Sequence, residues 1–437
     1  MKLPKWPLPS GKDKIELGLE RMQKLLEKLG NPEKNIPPVF HVAGTNGKGS
    51  VTSFLKYIFE KGGYKVHRYT SPHLVNFNER IEIAGEVIKD EYYEELAEEC
   101  KCVIEKFNLE ASYFEIITAV AFLAFARNKA DVTVLEVGLG GRLDATNVID
   151  NPLVSIITSI SRDHMKQLGN ALSSIAMEKV KIVKPGFPVV ISLQPQTVEN
   201  LLKREAKKLS SPAFVYDAHW KYKMTDENTC LYTGFGRNIT TPLPSLLGVH
   251  QIINAGTAIS AILCQNKIPI TNEAIIEGVK NTTWRGRLQK IENTILNDYL
   301  EKGTLLYLDG AHNEGGARVL GNWLDHEDYK EMRLNIIIIS ILERKDSKSF
   351  IKNIRYHATM AIIVDHHVEE GETNPYKDSE TFKKELEAAG YVGVKIANSV
   401  QEALKMTWSR DRTKILKRVV ICGSLYFIGE VLEIIEN

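Results

Sequence analysis

A glycine-rich turn between an apolar strand and a helix constrains this chain more than any other feature. Residues 38–50 read PVFHVAGTNGKGS. The apolar run at 38–43 predicts a buried strand, and a helix is expected to open at Ser50. The three glycines within residues 44–49 allow positive φ angles and a close approach of the backbone to a ligand. The turn therefore predicts a strand–turn–helix unit inside an α/β sheet.

Lys48 and the start of that helix give the turn its predicted chemistry. Helix N–H groups and the positive end of the helix dipole face the turn, and Lys48 adds a charge. Together they predict a cradle for the phosphates of a nucleotide. The spacing departs from the common G-x-x-x-x-G-K-[ST] pattern, because Val42 replaces the first glycine and Gly49 separates Lys48 from Ser50. The alternative is an ordinary glycine-rich turn.

Apolar strands alternate with helical segments along most of the chain. In the first part this order predicts a parallel, doubly wound sheet, with a small antiparallel excursion at 210–245. The strand–helix order begins again after the sequence NTTWRGRL at 281–288. We therefore predict an α/β protein in which a P-loop, doubly wound sheet domain (residues 1–288) precedes a smaller Rossmann-like domain (residues 289–437).

Composition excludes several classes of protein. The net charge of +1 over 437 residues gives no field that would favour nucleic acid or a membrane surface. The five cysteines are scattered and form no C-x-x-C, which argues for a reducing compartment and against a zinc site. No signal peptide and no spanning apolar run are recognisable, so we expect a cytoplasmic protein. A monomer is expected because no amphipathic segment is left unpartnered.

Polar residues that follow the predicted strands are the candidates for chemistry. Glu136 ends a buried strand near the turn, where a carboxylate suits Mg²⁺, and the alternative is a satisfied buried glutamate. His164 and Ser71 also follow strands, but both residue types are common in structural turns. Lys179 lies in a helical stretch and would be a surface lysine by composition alone.

The second half of the chain offers a further set. Asp309 and His312 follow an apolar strand in the sequence LDGAHN. Arg285 and Arg287 precede that strand, and two arginines near a nucleotide cradle suggest phosphate contacts across a cleft. The alternative for Arg287 is a surface ion pair.

The order of these motifs resembles one family closely. The sequences GTNGKGS, TSPHL with NER, LEVGLGGRLDATN, SRDH, EKVKIVKPG, GVHQIINA, WRGRL, LDGAHN and CGSLYFIGE are similar to those of the folylpolyglutamate synthases and the bacterial bifunctional dihydrofolate synthase/folylpolyglutamate synthases. These enzymes belong to the Mur ligase superfamily. The resemblance implies ATP-dependent addition of L-glutamate to dihydropteroate and to the γ-carboxylate of tetrahydrofolate through an acyl phosphate.

The resemblance also implies roles for individual residues. It gives Lys48, Lys179 and His312 catalytic roles, and it implies that Lys179 is carbamylated to bind a second Mg²⁺. The implied ATP contacts are Gly47, Lys48, Gly49, Ser50, Asn254, Arg287 and Asp309. The implied Mg²⁺ ligands are Ser71, Glu136, His164 and Lys179. The implied substrate contacts are Leu17, Gly18, Leu19, Ser112, Tyr113, Phe114, Glu115, Leu143, Asp144 and Ala145.

Two positions depart from the family pattern. Arg285 stands where the family usually has proline, and it would either contact a phosphate or face solvent. Lys181 replaces a glycine beside Lys179, and its charge would either stabilise a carbamate or compete with it.

Three alternatives to the bifunctional enzyme remain open at this point. A monofunctional folylpolyglutamate synthase would share the same motifs, although the LGLER and TSPHL segments favour the bifunctional type. A cell-wall Mur ligase would lack the TSPHL-type loop. A P-loop kinase or GTPase would lack the second Rossmann-like domain, and the chain has no N-K-x-D base motif. The sequence leaves open the preferred folate, the glutamate chain length and any domain closure.

Overall fold

The computed structural model describes residues 4, 6–7, 18–366, 374–408 and 415–436. In these parts of the chain, strands and helices alternate over two separate parallel sheets, which confirms the predicted α/β class. The strands are β1 (Val39–Ala43), β2 (Val66–Tyr69), β3 (Ile81–Ile83), β4 (Glu86–Val87), β5 (Val132–Glu136), β6 (Val154–Ile157), β7 (Val189–Ile191), β8 (Ala213–Val215), β9 (Trp220–Met224), β10 (Thr229–Gly234), β11 (Arg237–Pro242), β12 (Gln289–Ile291), β13 (Leu305–Leu308), β14 (Leu334–Ile339), β15 (Met360–Val364), β16 (Lys395–Ala397) and β17 (Lys417–Cys422).

The helices carry the apolar faces that cover these sheets. They are α1 (Glu20–Lys28), α2 (Lys48–Lys61), α3 (Asp90–Phe107), α4 (Tyr113–Arg127), α5 (Met165–Leu168), α6 (Leu172–Val180), α7 (Gln196–Lys208), α8 (Val249–Leu263), α9 (Asn272–Asn281), α10 (Glu314–Lys330), α11 (Ser347–Ile354), α12 (Ser379–Ala388), α13 (Val400–Lys405) and α14 (Leu425–Glu436).

The first sheet has eight strands in the order β4-β3-β2-β5-β1-β6-β7-β8. The six strands from β2 to β8 in this order run parallel, and only β3 and β4 pair antiparallel at one edge. Their continuous burial explains the runs of valine and isoleucine, since helices cover both faces of a parallel sheet. The strand β1 is central, so the turn that follows it lies in the middle of the carboxyl edge.

The other two sheets account for the rest of the strands. From β9 to β11 the predicted antiparallel excursion is a three-stranded sheet, β11-β10-β9, which packs on α8 and α9. The prediction is wrong for the start of the range 210–245, because β8 pairs parallel with β7 in the first sheet. The second large sheet has the order β12-β13-β17-β14-β15-β16, parallel from β13 to β16, with β12 antiparallel at its edge. Strand β12 begins at Gln289, directly after the predicted boundary at 288. The residues that follow β1, β5 and β6 line one cleft together with those that follow β13.

Candidate active site

The glycine turn after β1 is held in place from two sides. Gly47 has a φ of 88°, and α2 begins at Lys48, two residues before the predicted start. A β carbon on Gly47 would lie 2.5 Å from Asn254 Oδ1 of α8. Thr45 Oγ1 donates to Ser161 O at 3.0 Å on the other side. The turn is therefore fixed before any ligand arrives, which is the condition for a preorganised anion site.

Lys48 and Glu136 face each other below the turn. Lys48 Nζ lies 3.9 Å from Glu136 Oε1 and donates to Thr45 O at 3.4 Å. Burial raises the pKa of the Glu136 carboxyl, while the charges of Lys48 and Arg287 oppose this shift. Glu136 also accepts a hydrogen bond from the Ser71 backbone, but the two charges do not form a close ion pair with each other, so both are available to a bound phosphate or metal ion.

Lys179 is a buried residue of the site and not the surface lysine that composition suggests. Its side chain reaches the turn from α6, where Nζ donates to Gly44 O at 2.8 Å. Burial, with the charge of Lys48 as the next cause, lowers the pKa of Lys179 to about 7. Lys181 lies apart from it, since its Nζ is 3.6 Å from Glu205 Oε2 and its side chain is 42% exposed.

Asp163, which no sequence pattern marked as functional, joins the two halves of the cleft. It follows β6, yet its carboxylate accepts hydrogen bonds from three side chains beyond β13: His312 Nε2 at 3.3 Å, Asn313 Nδ2 at 2.9 Å and Lys345 Nζ at 2.6 Å. Burial alone raises the pKa of Asp163, but His312 and Lys345 outweigh it and hold that pKa below its usual range. We call these four residues the tie cluster.

His164 is the neighbour of Asp163 and adopts a left-handed backbone conformation, with a φ of 50°. Burial, together with the charge of Lys345, lowers the pKa of His164 to about 3. The imidazole is therefore neutral at physiological pH and has a lone pair to offer to a metal ion.

Asp309 and Arg287 bring the second large sheet to the cleft. The Asp309 carboxylate accepts from Leu288 N and Ala311 N, each at 2.9 Å. Burial lowers the pKa of Arg287, while the charge of Asp309 opposes the shift. Arg285 points elsewhere, because its guanidinium pairs with Glu436 at the end of α14.

One cleft gathers every residue predicted to contact ATP, to bind metal or to act in catalysis. Its lining includes Gly47, Lys48, Gly49, Ser50, Ser71, Glu136, His164, Lys179, Asn254, Arg287, Asp309 and His312. It also includes Asp163, His250 and Gln251, which the sequence did not single out for chemistry. Burial lowers the pKa of His250 to about 4, so it too is neutral.

The predicted substrate residues lie outside this lining. Leu17 falls outside the described residues, and the others are Gly18, Leu19, Ser112, Tyr113, Phe114, Glu115, Leu143, Asp144 and Ala145. Glu115 and Ser112 cap the start of α4 reciprocally, and Arg21 Nε donates to Glu115 Oε2 at 3.2 Å. The buried Asp144 carboxylate accepts from Leu139 N at 2.8 Å. Asp144 and Phe114 border the cleft indirectly, because Leu139 and Gly138, which they contact, line it.

The side chains of the cleft could provide some, but not all, of the ligands that a hard cation needs. Ser71, Glu136 and His164 offer a hydroxyl, a carboxylate and a neutral imidazole. The described parts of the chain contain no cluster of three or more His, Cys, Asp or Glu side chains close enough to hold a metal ion. A Mg²⁺ ion here would need phosphate oxygens and water to complete its shell, as Mg²⁺ commonly does.

Comparisons with known proteins agree with this geometry. Residues 42–262 match the Mur ligase middle domain, and residues 292–434 match the C-terminal domain of dihydrofolate synthetase. The dihydrofolate synthase/folylpolyglutamate synthase of Bacillus subtilis is 33% identical over 447 residues, which cover 95% of this chain and 94% of that protein.

Two solved structures superimpose over nearly the whole chain. The E. coli FolC protein in complex with DHPP and ADP has a TM-score of 0.83 and 28% identity, covering 97% of this chain and 94% of that one. The Yersinia pestis bifunctional folylpolyglutamate synthase/dihydrofolate synthase complexed with AMPPNP and Mn ion has a TM-score of 0.82 and 27% identity, covering 98% and 96%.

The fold, the cleft and these matches first define a class: the protein is an enzyme, a ligase of the Mur type. Within that class, the chain belongs to the dihydrofolate synthase/folylpolyglutamate synthase family. The predicted family is thereby confirmed. Across the described residues, no helix has the combined length and apolar character that crossing a bilayer requires.

Proposed function

We propose that this enzyme joins L-glutamate to dihydropteroate, giving dihydrofolate, and to the γ-carboxylate of tetrahydrofolate. A substrate carboxylate oxygen attacks the γ-phosphorus of ATP, and ADP leaves. The glutamate amine then attacks the acyl phosphate carbon, loses a proton and expels inorganic phosphate as the amide forms. The observation that carries this proposal is the single cleft in which the phosphate turn and the LDGAHN segment face each other.

The residues of the cleft supply binding and charge in this reaction. The backbone N–H groups at the start of α2 and the Lys48 ammonium hold the phosphates of ATP. Arg287 and Asn254 contact the nucleotide from the other side, and Asp309 orients the Leu288 and Ala311 backbone beside it. No side chain needs to become covalently attached, because positioning and electrostatics are sufficient for phosphoryl transfer.

A divalent cation, which we take to be Mg²⁺, is proposed at Ser71, Glu136 and His164. When bound, it would offset the negative charge that develops on the transferring phosphoryl group. The AMPPNP and Mn ion bound by the Yersinia pestis relative support this choice. His312 lines the same cleft, with its Nδ1 against Gly310 O at 2.8 Å and its Nε2 towards Asp163. We propose that this imidazole orients the reacting carboxylate.

We also propose that Lys179 is carbamylated and contributes to a second Mg²⁺ site. A carbamate forms when a neutral amine attacks CO₂ and releases one proton, and a pKa of about 7 leaves much of the Lys179 amine neutral. Lys179→Ala should lose most activity, and acetate should restore part of it by replacing the missing carboxylate. Full activity of Lys179→Ala without acetate would remove Lys179 from the site.

One assay tests the function as a whole. Purified enzyme with ATP, Mg²⁺ and L-glutamate is given 7,8-dihydropteroate or tetrahydrofolate, and phosphate release is followed. We expect turnover with both substrates, and a Lys48→Met variant serves as the matched inactive control. Turnover with tetrahydrofolate alone identifies a monofunctional folylpolyglutamate synthase. Absence of turnover with either substrate would overturn the proposal.

We also propose a cellular compartment and an oligomeric state for the enzyme. The described cysteines are all unpaired, and Cys100, Cys230 and Cys422 are buried. Free buried thiols suit a reducing compartment. We therefore propose a cytoplasmic enzyme that acts as a monomer on small-molecule substrates, without nucleic acid or membrane partners.

A further inference from the structure

The segment between the two large sheets is attached to both of them. We call residues 282–288 the linker. Its first half docks on α2, where Ser53 Oγ donates to Thr283 O at 2.7 Å. Its second half docks beyond β13, where Gly310 N donates to Gly286 O at 2.8 Å. The helix that carries the phosphate turn and the strand that carries Asp309 therefore share one short connection.

Trp284 is the linker residue that meets the phosphate turn itself. A β carbon on Gly49 would lie 2.6 Å from Trp284 Nε1 and 2.9 Å from its Cε2 and Cζ2. Gly49 belongs to α2 and, unlike Gly47, has no left-handed φ. The glycine at position 49 is thus required by the indole that occupies its side-chain space.

A buried ion-pair network holds the indole from another direction. The Arg68 guanidinium lies 4.7 Å from the centre of the Trp284 ring. Arg68 pairs with Glu82, and Glu82 Oε2 lies 2.7 Å from Lys56 Nζ on α2. The indole is therefore fixed between the turn and a charge network that is anchored on the same helix.

We propose that Trp284 is a positioning residue that sets the place of Arg287 relative to the phosphate turn. Arg287 follows Trp284 by three residues, is half-buried and lines the cleft. With the linker docked at both ends, a displacement of the turn moves the indole and is transmitted to Arg287. This role rests on the proposed nucleotide site. It adds a route by which a nucleotide bound at the turn would change the position of Arg287 in the other half of the cleft.

The first test compares Trp284→Leu with Trp284→Phe. Loss of the flat ring should let Arg287 move, and a misplacement of about 1 Å costs on the order of a hundredfold in kcat/KM for ATP. Phe keeps a ring over Gly49 and should recover most of the loss. Equal kcat/KM in Trp284→Leu and the parent enzyme would overturn the inference. Thermal unfolding of both variants is measured alongside.

The second test reads the indole directly and does not require the Leu variant to fold. ADP with Mg²⁺ should change the tryptophan emission of the parent enzyme, and Trp284→Phe should abolish that change while ADP still binds by calorimetry. Trp408→Phe is the matched control, because Trp408 does not line the cleft. Its side chain is half-exposed, and its indole Nε1 donates a hydrogen bond to Tyr299 O. An emission change that survives in Trp284→Phe would contradict the inference. Failure of the parent enzyme to bind ADP would instead overturn the proposed function.

A double-mutant cycle tests the contact itself. Gly49→Ala should reduce ATP affinity strongly in the parent enzyme, since the new methyl group meets the indole. In Trp284→Leu the same change should cost much less. Residues in contact couple in this way, whereas independent sites have multiplicative effects. Simple multiplication of the two losses would show that the indole does not constrain position 49.

Discussion

Two groups of charged residues in the cleft are partnered in opposite ways. At the phosphate turn, the closest approach of Lys48 to Glu136 is 3.9 Å, which is longer than a hydrogen bond. In the tie cluster, one carboxylate accepts three hydrogen bonds, the shortest being 2.6 Å from Lys345. A charged group with distant partners can exchange them for a ligand at little cost in free energy. A carboxylate whose hydrogen bonds are all made instead holds the surrounding side chains in one arrangement. The first group should therefore govern chemistry, and the second should govern stability as well.

The largest expected effect comes from the loosely partnered side. Lys48→Met should lower activity about a thousandfold or more, because it removes a charge aimed at the transferring phosphate. It should not lower the melting temperature, since it also removes a repulsive neighbour of Lys179. Phosphate release and thermal unfolding check both parts, with the exposed Lys61→Met on the same helix as control. Activity above a tenth of the parent value would contradict the assignment.

The next effect comes from the saturated side. Asp163→Asn keeps the shape but leaves Lys345 as a buried cation without its carboxylate, which should cost about 3 kcal/mol of unfolding free energy. Activity should fall with it, because His312 loses its partner. Denaturant unfolding measures the loss, and a second change, Lys345→Met, should restore part of it. If Asp163→Asn were as stable as the parent, the tie cluster would not hold the two halves together.

The smallest effect is a pH dependence at Lys179. Its folded pKa of about 7 lies below the unfolded value of 10.5, so above pH 7 the unfolded chain binds a proton that the folded chain lacks. Stability of the parent therefore rises with pH through this window. The advantage of Lys179→Met over the parent should shrink by about 2 kcal/mol between pH 7 and pH 9 in CO₂-free buffer. A constant difference would mean that Lys179 keeps its proton.

Local sequence patterns predicted the residues of the phosphate turn but missed most of the tie cluster. Gly47, Lys48 and Ser50 are contiguous, so strand, turn and helix signals identify them together. Glu136 could be predicted because it ends an apolar strand, and parallel strands meet at one edge. The alternation of strands and helices likewise predicted both parallel sheets, while β16 and the short edge strand β12 gave no clear signal.

The tie cluster could not be assembled from spacing. Asp163 and Lys345 are separated by 182 positions, and nothing in the composition around Lys345 marks it as buried. The burial of Lys179 was also invisible from its own segment, because the groups that enclose it come from other elements. In each case the side chain gains its role from tertiary packing, which a periodic pattern does not encode. The assignment of Lys179, Asn254 and His312 came from the family resemblance.

Contacts between Trp284 and Gly49 also restrict the order in which this sequence can change over time. A β carbon at position 49 would clash with the indole of Trp284. A substitution of Gly49 is therefore expected only after Trp284 has been replaced by a smaller residue. A smaller residue at 284 would in turn remove the ring that lies against the Arg68 guanidinium, which also pairs with Glu82. Lineages can therefore drift freely at exposed positions of α2, while positions 49, 68 and 284 are expected to change together or remain as they are.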